Sequence, residues 1–175
     1  MISDQTHNDH DTVLKGLHSA DPDKVLVTLE AMRAVGKSSD IPILVELLQT
    51  SQEKEVKSKI TSLFANLKEK NSIPYIIEAI KNEHYAPELR QLVSCCWENG
   101  LDYTKYLSLF VDLLIEKDFV VAFEACTVIT NMTETIDQAR IDAEIEKLDQ
   151  AMKTTVEEKK VLMLDVIDFL PSIGS

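Results

Sequence analysis

Apolar residues recur along this chain at helical spacing, and the helices they imply recur at a nearly fixed interval. Val45-Glu46-Leu47-Leu48 returns as Ile77-Glu78-Ala79-Ile80 and as Val111-Asp112-Leu113-Leu114, and Ile145-Glu146-Lys147-Leu148 is a weaker fourth copy. The steps are roughly 32–34 residues, the interval of a two-helix repeat unit. Between these copies lies a second pattern, apolar at relative positions 0, 4, 7, 8 and 11, which puts five side chains on one stripe of a helix. Val56, Ile60, Leu63, Phe64 and Leu67 fill it best. Leu89, Val93, Cys96, Trp97 and Gly100 follow, then Val121, Ala125, Val128, Ile129 and Met132. The outer copies are more polar: Lys24, Thr28, Ala31, Met32 and Val35 at one end, and Lys159, Met163, Val166, Ile167 and Leu170 at the other. Polar substitution is what terminal repeats need, because one flank meets water.

Each period therefore predicts two helices and a short turn. The ten helices fall at roughly 10–18, 22–35, 40–50, 53–69, 72–82, 86–99, 102–116, 118–132, 137–153 and 156–170. Asp21-Pro22 offers a cap followed by a proline in the first turn. Pro42, Pro74 and Pro87 fall early in their helices, where a missing N–H costs nothing. The stretch from Thr133 to Ile136 reads as irregular, and no segment alternates as a strand would. Neither helix of a pair can bury its stripe alone, so the pairs must stack on their neighbours. The expected fold is all-α, a right-handed α-α superhelix or solenoid of about five helical hairpins. Residues 10–175 form its single repeat domain, after a flexible polar tail at 1–9.

Composition narrows the partners. The chain has 45% hydrophobic and 27% charged residues and a formal charge of −12. Those proportions are what a folded, helix-rich protein would have. Such a surface repels phosphate backbones, which argues against nucleic acid and anionic membranes. The N-terminus lacks the basic head and apolar run of a secretory signal. No stretch of about 18 uncharged apolar residues could span a bilayer. Three cysteines without disulfide spacing suit a reducing compartment, so the expected location is cytoplasmic.

The run EVKSKITSLFANLKEKNSIPYIIEAIKN, residues 55 to 82, resembles the HEAT-like repeats common in bacteria, including those of the phycobilisome-lyase type. Their unit reads Asp-x-x-Val-Arg, small residues, Ala-Leu-Gly, a loop, then Ile-Pro-x-Leu and two apolar residues. Pro-Glu-Leu-Arg at 87 to 90, and Val35-Gly36 followed by Ile41-Pro42, carry the resemblance too. It covers roughly residues 20 to 132. The chain departs from the pattern at Lys57 and at Val121-Ala122, where the family favours Val-Arg, and it has few of the family's glycines. Repeats of this kind specify a fold and say little about activity.

The resemblance implies that the second helix of each pair lines a concave surface. With the stripe in the core, relative positions 2, 6 and 9 face a groove: Leu26, Glu30 and Arg33; Ser58, Ser62 and Ala65; Gln91, Cys95 and Glu98; Phe123, Thr127 and Thr130; Val161, Asp165 and Asp168. A floor of small residues admits a partner helix or extended peptide, with Phe123 as its apolar anchor. Glu98, Asp165 and Asp168 favour a basic segment. The blander reading is that small residues permit curvature and Phe123 packs on a neighbouring helix.

Other chemistry is thin. Cys95 and Cys96 point about 100° apart on a helix, too far to share a metal. Cys96 belongs to the stripe and Cys95 and Cys126 are the two that solvent could reach, but free cysteines are usually buried and inert, and that is the expectation here. No histidine lies near them in sequence to activate a thiolate. His7, His10 and His18 with Asp9 and Asp11 suggest a metal, but the first two belong to the tail and lack the tight paired spacing of structural zinc sites. No Gly-rich phosphate loop, His-Glu-x-x-His or Gly-x-Ser-x-Gly occurs, and neither cofactor nor metal is expected. The pattern points to a non-catalytic interaction module or scaffold that holds a protein partner, a basic peptide or helix, in its groove. The alternative is a lyase-like or chromophore-handling protein on the same repeats, with Cys95 as its reactive group. A DNA-binding reading, borrowed from HEAT-like DNA glycosylases, finds Arg33 opposed by Glu98, Asp165 and Asp168. The poorly matching last repeat could also stack on a second copy of the chain.

Overall fold

The computed structural model describes residues 12–175. The polar tail at 1–9, which holds His7 and Asp9, lies outside the described residues, as do His10 and Asp11. The chain divides into two compact units, Met1–Glu88 and Leu89–Ser175. Among the described residues everything regular is helical apart from one isolated bridge, Ile136 to Gly174.

The first unit contains α1, described over 12–16, α2 (Pro22–Val35), α3 (Ile41–Thr50), α4 (Lys54–Ala65) and α5 (Ile73–Lys81). Here α2 packs beside α4, α3 beside α5, and α3 against α4. Alternate helices thus form two rows with a shared core of Val25, Leu29, Leu44, Leu48, Ile60, Phe64, Ile76 and Ile77. Asp21 caps α2 by accepting the Asp23 N–H at 3.1 Å, with Pro22 in the first turn. Pro42 and Pro74 open α3 and α5 as expected, each after a 3-10 turn, Ser38–Asp40 and Lys70–Ser72. Pro87 instead lies inside a 3-10 turn, Glu83–Glu88. That turn ends on the buried carboxylate of Glu88, which Lys57 of α4 holds at 2.5 Å.

The second unit contains α6 (Leu89–Glu98), α7 (Leu107–Glu116), α8 (Phe119–Thr130), α9 (Gln138–Met152) and α10 (Glu157–Phe169). Helix α8 packs between α6 and α10, α7 packs beside α9, and α7 packs against α8. Leu92, Leu107, Phe110, Leu114, Ala125, Ile129, Ile141, Leu148 and Met163 fill the core. Asp118 caps α8 and Asp137 caps α9, accepting from the Val121 and Ala139 N–H groups at 3.0 Å. Gly100, at φ 70°, follows the end of α6 in the left-handed conformation. Glycine adopts that conformation without strain, having no Cβ to clash.

Several boundaries and faces differ from the sequence expectation. Helix α4 stops at Ala65 rather than 69, and α7 begins at Leu107 rather than 102 because a 3-10 turn, Thr104–Tyr106, precedes it. Helix α2 is rotated by one residue: Val25, Leu29 and Met32 are buried, while Lys24 and Ala31 are exposed. Of the expected core positions, Trp97 in α6 and Gly100 just beyond it are exposed instead. The irregular stretch before α9 is pinned to the C-terminus. There the Ile136 N–H donates to the Ile173 carbonyl at 2.8 Å, and the Ser175 N–H donates to the Ile136 carbonyl at 3.0 Å.

Lys159 is the instructive terminal case. Its side chain is buried, and its ammonium donates to the carbonyl oxygens of Ile115 and Lys117 at 2.7 and 2.8 Å. A cation there satisfies carbonyls that the end of α7 leaves unpaired and complements the helix dipole. The polar residue expected to face water as a cap thus ties α10 to α7.

Candidate functional site

In the first unit, the outward face of the α2–α4 row is small and polar. Ser58 and Ser62 are exposed and Ala65 is half-buried. With Leu26, Val27, Glu30 and Lys59, the two serines line a depression of about 520 Å³. Glu30 bridges the two helices through Lys59 and also meets Arg33 within α2 at 3.4 Å. The Lys59 ammonium is the main reason the Glu30 carboxyl lies below its usual range.

In the second unit, the expected groove residues divide. Glu98, Asp165 and Asp168 are exposed. Gln91, Thr127 and Thr130 are half-buried. Both threonine hydroxyls donate back to carbonyls of their own helix, Phe123 at 2.9 Å and Cys126 at 3.0 Å. Phe123 is 49% exposed and does not pack into the core. Cys95 does not face a groove at all. It is 1% exposed, and its thiol is pushed well above the usual range by the neighbouring Cys96 thiol and by burial.

Both cysteines that solvent could have reached are buried, as expected of inert free cysteines. Cys126 donates to the Leu162 carbonyl at 3.6 Å, and burial, with the charge of Asp165, raises its pKa to about 11. Such thiols are protonated near neutrality and poor nucleophiles. A mechanism that attacks through Cys95 has no accessible thiolate.

Five of the exposed large apolar residues lie on α8 and α10, and two of them, Phe123 and Val161, are at position 2. Val161 on α10, at 58%, joins Phe123 on the adjoining α8. Phe119, Val120 and Leu164 are 44%, 45% and 49% exposed and extend the same apolar surface on these two helices. None of those three was singled out by the five-position stripe. A signal was present in FVVAFEACTVIT, which has more apolar residues than one buried stripe can absorb.

Beside this surface lies a polar clamp that pattern reading did not find. Glu124 on α8 is buried, and its two carboxylate oxygens are held from α6. The Arg90 guanidinium donates at 3.3 Å and the Trp97 indole N–H at 2.9 Å. Trp97 leaves the core because its N–H has a carboxylate to reach, so the ring lies half on the surface. The clamp links both ends of α6 to the middle of α8 and fixes the backbone from which Phe123 projects.

Among the described residues no group of three His, Cys, Asp or Glu side chains could hold a metal ion, and His18 is exposed. No helix among them is long and apolar enough to cross a membrane. No protein-family model matches the chain, and no curated protein matches it. Among solved structures it is similar to the crystal structure of an engineered protein, at 18% identity and a TM-score of 0.47, over 93% of this chain and 79% of that one.

Proposed function

We propose that this chain is a non-catalytic interaction module, built of HEAT-like hairpins wound as a right-handed α-solenoid, which holds a protein segment against the outward faces of its second helices. The observation that carries this reading is the exposed apolar surface of Phe119, Val120 and Phe123 on α8 with Val161 and Leu164 on α10. Scattered surface apolar residues need no explanation, but large ones gathered on two adjoining helices mark a contact surface. Its partner is a basic amphipathic helix or peptide. Glu98, Asp165 and Asp168 are exposed on the same row of helices, and acidic residues outnumber basic ones two to one across Leu89–Ser175. The same charge disfavours nucleic acid as a ligand of this unit. The buried Cys95 withdraws the observation on which a lyase-like reading would rest.

The test compares wild type with Phe123→Asp and Val161→Asp as immobilised baits for proteins of the source cell and for a synthetic Lys/Leu amphipathic helix. The reading expects both variants to lose what wild type retains, while Thr127→Ser keeps it. Equal capture by all four proteins would remove this surface from the functional account.

A further inference from the structure

We propose that Asn99 is a modification site held closed by the fold: its side-chain amide cyclises onto the Gly100 nitrogen when the turn after α6 opens, and the product loosens the end of α6 that carries Trp97. The step needs no partner at the apolar surface of α8 and α10. Asn99 is the one asparagine in the sequence that a glycine follows. Glycine has no side chain to shield its own nitrogen and permits the widest range of backbone conformations, so it is the neighbour that most readily attacks an asparagine carbonyl. The Gly100 nitrogen loses its proton and bonds to Asn99 Cγ, the Cγ–Nδ2 bond breaks, and ammonia leaves. Water then opens the cyclic succinimide to aspartate or to isoaspartate, in which the main chain runs through Cβ. Nothing is oxidised or reduced.

The folded chain opposes each part of that step. Asn99 is 2% exposed, which keeps out the water that opens the ring. Its Oδ1 accepts the Leu101 N–H at 2.8 Å, its Nδ2 donates to the Tyr103 hydroxyl at 3.0 Å, and its own N–H donates to the Cys95 carbonyl at 3.0 Å. Cyclisation gives up the Tyr103 and Leu101 bonds, because the amide nitrogen departs and the carbonyl carbon swings onto the main chain. Tyr103 is itself buried edge-on against Phe110, so its hydroxyl stays where it is. Gly100, by contrast, is exposed at φ 70°, and a Cβ there would meet nothing within 4 Å. A glycine in that place serves the turn and not the packing, so the turn opens at less cost than the core around it.

Conversion changes the junction in two ways. Aspartate puts a charge into a buried position and has no N–H to give the Tyr103 hydroxyl. Isoaspartate lengthens the main chain where α6 ends. Trp97 lies just before this point, and its indole N–H donates to the Glu124 carboxylate at 2.9 Å. A loosened α6 end therefore frees the clamp beside Phe123.

The experiment ages the full chain in mildly alkaline buffer, folded and in guanidinium, and follows each asparagine by peptide mass spectrometry with an isoaspartate assay. In guanidinium Asn99 should convert faster than Asn71, which precedes Ser72. In the folded chain Asn99 should convert about tenfold more slowly or less, and no faster than the exposed Asn71. Tyr103→Phe removes the hydroxyl and should speed conversion in the folded chain about fivefold. Ile141→Val, a buried change on α9 away from the turn, should leave that rate as it is. Chain isolated after conversion should show greater acrylamide quenching of Trp97 than fresh chain. Equal rates in the folded and unfolded chain, equal acceleration by both variants, or unchanged quenching after conversion would each overturn the proposal.

Discussion

The Asp102 carboxylate accepts two hydrogen bonds from Thr133, one from its backbone N–H at 2.8 Å and one from its hydroxyl at 2.6 Å. It also takes the N–H groups of Thr104 at 2.7 Å and Glu134 at 3.1 Å. One side chain thereby joins the loop before α7 to the loop after α8. Burial raises the Asp102 pKa, but the hydrogen bonds from Thr104 and Thr133 outweigh it and leave the group at about 2 against an ordinary 3.8. With the folded value depressed, the contribution to stability is complete above about pH 4 and is lost as pH falls through about 2. Because the carboxylate is partly solvated, it amounts to about 1–2 kcal/mol. Denaturant unfolding of wild type and Asp102→Asn at pH 7 and pH 2 should show that difference at pH 7 and little at pH 2.

Glu124 should report through the chain's single tryptophan. Glu124→Leu removes the carboxylate that holds Trp97 and Arg90, freeing the indole to move, so its emission should shift and its quenching by acrylamide should rise. Arg90→Ala leaves the buried carboxylate with the indole N–H as its remaining clamp and should cost about 1–3 kcal/mol. Fluorescence during urea unfolding measures both effects; an unchanged spectrum in Glu124→Leu would contradict the clamp.

Lys159→Met keeps the apolar stem of the side chain but strips the donor from the Ile115 and Lys117 carbonyls. The expected loss is about 0.5–1.5 kcal/mol, from lost charge-assisted hydrogen bonds and a lost dipole partner at partly exposed carbonyls. Thermal unfolding measures it, and Lys160→Met, at a half-buried neighbour paired with Glu157, serves as the control that should change little.

The thiols should be silent in the native state. At pH 8 the Cys126 thiolate fraction is roughly a hundredfold below that of an ordinary cysteine, given its pKa of about 11, and burial adds to the protection. Mass spectrometry after brief maleimide treatment should find native protein unmodified and all three cysteines modified in guanidinium. Native labelling of Cys95 would restore a reactive-thiol function.

The two phenylalanines Phe110 and Phe123 should differ sharply. Phe110 is fully buried and stacks edge-on against Tyr103, with ring centroids 6.0 Å apart. Phe110→Ala should therefore cost about 3–5 kcal/mol. Phe123→Ser should alter stability by no more than about 0.5 kcal/mol. A large loss at Phe123 would mean that it packs internally.

Local pattern determined much of this protein. Ile41-Pro42 recurs as Ile73-Pro74, and the VELL-type runs recur with it. That recurrence located most of the helices, because helical period and capping act over a few residues. The sequence also marked Phe123 and Val161 as outward-facing. What it could not decide was how far around each helix burial extends, since that depends on the helices alongside. Flanked by α6 and α10, α8 buries Glu124 and Cys126 as well as its stripe, and α2 turns by one residue to bury Val25 instead of Lys24. The Trp97 indole left its predicted core position for a carboxylate 27 residues away, and Asp102 found Thr133 at a separation of 31. Polar partners that far apart are joined only once the helices have packed, so tertiary structure decided which polar groups are satisfied inside and which apolar ones remain outside.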